Sequence, residues 1–113
     1  MEYRLKRNSD FQKLFRKGNK TFSRSLVVLY LPASATRFGL SVSKKHGNSV
    51  KRNRIKRLLR EAFYRIRGEL NRPLSIVFIP KVQEDYSFQA FASEMQYAFR
   101  KANLLKEHEK TAD

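Results

Sequence analysis

The stretch Ser49 to Phe63, "SVKRNRIKRLLREAF", constrains the fold more than any other part of the chain. Together with the residues that follow it, it places Ile55, Leu58, Leu59, Ala62, Phe63 and Ile66 at the i, i+3, i+4, i+7, i+8, i+11 spacing of an amphipathic helix. A stripe of that length must be received by another layer, so the chain has to supply a core against which this helix packs. On a helical wheel the other half of the surface carries Asn53, Lys56, Arg57, Arg60, Tyr64 and Arg67. Arg54 and Arg65 border one edge of that half and Arg52 the other.

The charges on this helix oppose one another. Arg52 and Lys56, and again Lys56 and Arg60, stand at i,i+4 and repel by about 0.2–0.5 kcal/mol per pair in water. Cations in the first turns also face the positive end of the helix dipole. Solvated helix faces ordinarily mix signs, yet Glu61 is the only acid between Lys44 and Arg67. Asn53 is a poor helix former near the helix start. A phosphate arriving there meets these cations and the free N–H groups together, and the repulsion becomes attraction. Lys44, Lys45, Gly47 and Asn48 precede the helix; the lysines extend the patch, and Gly47 serves either a tight turn or a close backbone approach.

The whole chain has the same bias. Its 113 residues carry 25 Lys+Arg against 10 Asp+Glu, a formal charge of +15. The partner is then a polyanion: nucleic acid, an anionic membrane surface or an acidic protein. With no Cys, disulfides, thiolate chemistry and Cys-ligated zinc are excluded. The longest apolar run, "LVVLYL" (Leu26 to Leu31), cannot span a bilayer, and "MEYRLKRNSD" has no signal-peptide core. These features predict a cytoplasmic single domain over 1–113, with "KEHEKTAD" (about 106–113) as a fraying polar tail.

The remaining segments supply the layers. "NSDFQKLFRKGNK" predicts a short helix, with Ser9 and Gln12 as a capping box and Gly18 as a left-handed stop. Phe11, Leu14 and Phe15 share one face of it. "TFSRSLVVLYLP" predicts a strand, with a possible break near Ser23–Ser25. "RFGLSVSK" alternates like a half-buried strand and is expected to pair antiparallel with it. "LSIVFIP" predicts a central strand buried on both faces. "SFQAFASEMQYAFRKANL" predicts a last helix capped by Ser87, with Phe88, Phe91, Met95 and Phe99 inward. The pattern is α-β-β-α-β-α, an α+β sandwich of one sheet with helices on it, and a βαβ unit through the basic helix if the strands it joins are parallel.

"GLSVSKKHGNSVKRNRIKRLLREAF" closely resembles the signature region of the protein component of bacterial ribonuclease P, and "RNSDFQKLFRKG" resembles that family's first helix. The resemblance extends to about Leu105. It implies an α-β-β-β-α-β-α fold with one central mixed sheet and a left-handed crossover through the basic helix, against the usual hand. It implies that Arg52, Asn53, Arg54, Lys56, Arg57 and Arg60 contact a catalytic RNA subunit, with Lys44, Lys45 and Asn48 beside them. It further implies a cleft between the first helix and the sheet that binds the single-stranded 5′ leader of precursor tRNA. Phe11, Phe15 and Tyr30 match the aromatic positions, with Val28, Arg24 and Phe22 nearby. By residue type alone these aromatics serve either as core or as stacking platforms, the latter giving about 1–3 kcal/mol per base. His46 stands where relatives are expected to have an aliphatic residue, which leaves the packing of its loop open.

Neither catalytic nor metal-ligating residues are expected. A protein nuclease needs clustered carboxylates with metals or an acid–base His pair. Here the acids are scattered, with Glu84-Asp85 the only adjacent pair, and His46 and His108 are far apart in sequence. The resemblance implies that the RNA subunit is the catalyst, that Mg²⁺ enters mainly through that RNA, and that the protein binds no cofactor alone. The expected partners are the RNA subunit and precursor tRNA, with no membrane and no obligate protein partner. Two other readings share the charge: a structural RNA-binding protein such as a small ribosomal protein, and a DNA-binding module with the basic helix in a major groove. A membrane-surface helix is disfavoured because the apolar stripe belongs to a core.

Overall fold

The structure, a computed structural model, describes Arg4, Leu5 and residues 7–107. Its elements are α1 (Asn8–Lys17), β1 (Asn19–Phe22), β2 (Leu26–Pro32), β3 (Arg37–Leu40), α2 (Ser49–Ile66), β4 (Leu74–Pro80) and α3 (Phe88–Lys101). This is the α-β-β-β-α-β-α order, and the expected long first strand breaks at Ser23–Ser25 into β1 and β2.

The strands form one mixed sheet in the order β1-β2-β4-β3. The expected antiparallel pairing of "RFGLSVSK" with the preceding strand is therefore wrong: β4 lies between β2 and β3, antiparallel to the first and parallel to the second. The physical reason is in β4 itself. "LSIVFIP" is apolar on both faces, so it needs neighbours on both edges and a layer on each face. A β2–β3 hairpin would leave it at an edge. The parallel pairing makes β3-α2-β4 the βαβ unit.

The two faces carry separate cores. On one, α2 and α3 bury Ile55, Leu59, Phe63, Phe91, Met95 and Phe99 against Leu26, Val28, Phe38, Ile76 and Phe78 of the sheet. Phe38, Phe63, Phe78 and Phe99 pack with ring centroids 4.9 to 6.5 Å apart. Each fully buried Phe contributes about 1.5–3 kcal/mol, which is why α2 folds despite its charges. On the other face, Leu14 of α1 joins Leu5, Leu29 and Val77, with Phe11, Val27, Leu31 and Ile79 half-buried around them.

Both expected ends of α1 need correction. Arg7, not Ser9, precedes the helix, and no side chain caps it. Leu5 N–H donates to the Phe38 carbonyl at 2.7 Å, so pairing beside β3 sets where the helix begins. Gly18 is extended (φ −67°, ψ 146°) rather than left-handed and leads straight into β1. Glycine fits there because a Cβ would lie 2.5 Å from the Leu14 carbonyl oxygen. At the other end of the chain the expected fray does not begin at Lys106, whose N–H donates to the Glu69 carbonyl at 2.7 Å. His108 and the rest of the tail lie outside the described residues.

Candidate nucleic-acid interface

The basic helix begins in a built turn. Ser43 caps a short 3-10 turn, Lys44–His46, and Gly47 follows at φ 121°. That positive φ answers the question left open for Gly47: the turn requires glycine. Asn48 caps α2, its side-chain oxygen accepting from Lys51 N–H at 2.9 Å. Asn48 thus has a structural duty beside the expected RNA contact. Arg52 likewise folds back, its Nε donating to the Gly47 carbonyl at 3.1 Å. His46 fits the loop well: it is buried, its Nε2 lies 2.9 Å from the Pro80 carbonyl, and its Nδ1 lies 3.2 Å from that of Ser43.

Outward from this turn the cations are open. Lys44, Lys45, Asn53, Arg54 and Arg57 are exposed, and Lys56 and Arg60 are half-buried. Asn53, Arg54, Arg57 and Arg60 line one shallow depression with Val50. Sequence reasoning missed Val50, an apolar side chain 76 % exposed at the helix start; its place outside the stripe was the available signal. The depression combines phosphate-sized donors with one apolar contact.

The second candidate site is divided differently from the expectation. Phe11 and Phe15 are one turn apart on α1, and Phe15 is 47 % exposed. The Phe11 ring occupies the space above Gly39, where a Cβ would come within 2.4 Å of its tip. Val28 and Tyr30 do not join them. They belong to the opposite face, Val28 fully buried in the α2–α3 core and Tyr30 packed against it. Strand alternation turns Val27, Leu29 and Leu31 toward α1 instead. "LVVLYL" is apolar at every position, so alternation within it gave no clue to which set faces which layer.

Two rows cross the α1 face of the sheet. Lys20, Leu29, Val77 and Gly39 are in register, and the middle of this row lies beneath Leu14 and Phe11. Phe22, Val27 and Ile79 form the next row. Val27 and Ile79 are half-buried and Phe22 is 47 % exposed, so this row is an open apolar floor. Arg24 is exposed in the turn just beyond it. That turn is held by Glu94, whose Oε1 accepts from Ser25 N–H, Ser25 Oγ and Ser23 Oγ at 2.7 to 2.8 Å. Burial opposes the Glu94 charge, but these three donors and Arg24 outweigh it and hold its pKa below the ordinary glutamate value.

The basic helix and the open floor therefore lie on opposite faces of one sheet. Among the described residues no group of three or more His, Cys, Asp and Glu side chains could hold a metal ion. Glu84 and Asp85 are exposed in a loop. No helix among the described residues is long and apolar enough to cross a membrane.

Comparison with known proteins gives one consistent answer. A family model described as Ribonuclease P matches residues 1–103. A ribonuclease P protein component of Bacillus velezensis is 43% identical over 107 residues, covering 91% of each chain. One from Shouchella clausii is 40% identical over 108 residues, 92% of this chain and 88% of the relative. Among solved structures, the Staphylococcus aureus RNase P protein superposes with a TM-score of 0.81 at 31% identity, covering 94% of this chain and all of that one (100%). The Thermotoga maritima RNase P protein superposes at 0.77 with 28% identity, over 87% and 96% of the two chains.

Proposed function

The chain belongs to the ribonuclease P protein family, and we propose that it is the protein subunit of a ribonucleoprotein endonuclease that removes the 5′ leader from precursor tRNA. The observation that carries this reading is α2: an apolar stripe sunk in the core and a cationic outer face with Glu61 as its lone acid. Arg54, Arg57 and Arg60, with Lys44, Lys45, Asn53 and Lys56, pair with backbone phosphates of the RNA subunit. Asn48 and Arg52 shape the turn that presents them. Phe11, Phe15 and Phe22, with Arg24 and the Val27–Ile79 floor, take the leader by stacking and phosphate pairing, which requires no base-edge readout.

The hydrolytic step belongs to the RNA in this proposal. Mg²⁺ bound mainly by the RNA would activate the attacking water and stabilise the phosphodiester charge. The protein offsets phosphate repulsion and holds substrate. A cytoplasmic location belongs to the same proposal.

Reconstitution tests it. The protein mixed with its cognate RNA at low Mg²⁺ should cut precursor tRNA at the mature 5′ end, and neither the protein alone nor the RNA alone at that Mg²⁺ should do so. Metal-dependent cleavage by RNA-free protein would overturn the division of labour.

A further inference from the structure

At the open edge of β1, two exposed rings share one lysine. Lys101 Nζ lies 4.9 Å from the centroid of Phe22 and 5.3 Å from that of Tyr97. Lys81 Nζ approaches Phe22 at 5.9 Å. Tyr97 is 53 % exposed, although it belongs to a helix whose Phe91, Met95 and Phe99 are buried. It lies on the solvent side of α3, one turn before Lys101, and the core does not use it. β1 pairs with β2 alone, so nothing in the sheet covers this edge.

We propose that Tyr97, Lys101 and Lys81, together with Phe22, form a second single-stranded RNA site that carries the leader beyond the α1 cleft, over the β1 edge and onto α3. The inference rests on the proposed leader-binding function and extends it to residues on another element. Phe22 is the pivot. Its register with Val27, and Val27's with Ile79, makes it the last member of the open floor on the α1 side. Its ring also contacts Lys101, which comes from the helix packed on the other side of the sheet. A strand following the floor outward leaves the sheet across this ring and meets Tyr97 next.

The chemistry suits unpaired nucleotides in particular. Exposed rings offer faces to bases, which a duplex keeps within its own stack, and adjacent ammonium groups meet the phosphates. In the free protein Lys101 rests between the two rings. When a strand arrives the ammonium turns to a phosphate, and bases occupy the ring faces it leaves. The nearby acid does not spoil the site. Glu94 lines a depression with Ser23, Arg24, Ser93 and Tyr97, but its Oε1 is engaged by Ser23 and Ser25.

The test uses the reconstituted holoenzyme and two precursor tRNAs, one with a leader that ends within the α1 cleft and one that extends past it. The readout is the ratio of long-leader to short-leader affinity. Tyr97→Ala and Lys101→Gln should each lower that ratio, Tyr97→Ala by about tenfold, the effect of one lost stacking partner. Tyr97→Phe, which keeps the ring, should restore it. An unchanged ratio in Tyr97→Ala, with a wild-type melting curve, overturns the extended path. Phe15→Ala separates the two levels: if it weakens binding of leader-bearing and mature tRNA equally, the leader cleft itself falls, and the extension falls with it. If Phe15→Ala weakens leader-bearing tRNA more than mature tRNA and Tyr97→Ala does not alter the ratio, the extension alone is lost.

Discussion

Gly39 shows how much a single missing Cβ decides on the α1 face. The Phe11 ring fills its place, with ring atoms 2.4 and 2.5 Å from where a Cβ would sit. Gly39→Ala must push that ring outward, with an expected loss of about 1–3 kcal/mol in denaturant melts, and leader affinity should fall with it. Because the obstacle is a side chain and not backbone, combining Gly39→Ala with Phe11→Leu should recover part of the stability. Glu94 gives a second residue-scale outcome. Its pKa is held below the ordinary glutamate value, so its contribution is fully present above the unfolded value and is lost as pH falls through the lower folded one. Wild type should therefore exceed Glu94→Gln in stability at neutral pH, and the gap should close in acid. A gap independent of pH would remove the charge from the explanation. Val28 and Tyr30 mark the limit of legibility at this scale. Aromatic identity attracted attention to Tyr30, but only the neighbouring layers decide which alternate residues of a wholly apolar strand meet α1.

The elements were more legible than their neighbours in space. The stripe of α2, the Ser87 cap of α3 and the two-sided burial of β4 each follow from a local pattern with one physical solution. Strand order does not, since the short "ASAT" link between β2 and β3 reads like a hairpin turn until β4's need for two partners is considered. The candidate interface on α2 stands out in the sequence because charge of one sign on a packed helix has no structural use. Its cost is local and its cap matters accordingly. Asn48→Ala, which leaves Lys51 N–H without its acceptor, should cost about 1 kcal/mol in thermal or denaturant unfolding. It should also weaken RNA-subunit binding by loosening the first turn. Arg57→Ala separates charge from fold: the side chain is exposed, stability should hold or rise slightly as repulsion is relieved, and the plot of log affinity against log salt should flatten by about one unit. An unchanged slope would exclude a direct phosphate contact at Arg57.

At the scale of the molecule, one thin sheet separates the two faces proposed to bind RNA. The α2 cations stand on the face of the Phe38–Phe63–Phe78 core, and α1 with its open floor stands on the other. Under the proposed function, this arrangement would let a short chain hold two polyanions at once without bringing their phosphates against each other, since exposed charges are largely screened beyond about 8 Å at physiological salt. It also limits how the sites influence one another. Between them lie β2 and β4, packed without ionisable side chains at Leu26, Val28, Ile76, Val77 and Phe78. A close-packed apolar layer passes on displacement but offers no charge relay. Single changes at Arg57 and Phe15 should accordingly act on different equilibria, the first on RNA-subunit affinity and the second on leader affinity. In a double-mutant cycle read on precursor tRNA binding to the saturated holoenzyme, the two should add within about 0.5 kcal/mol, as distant sites do. A coupling energy well above that would mean that the leader and the RNA subunit touch each other, or share a protein contact, and that the sheet does not keep them apart.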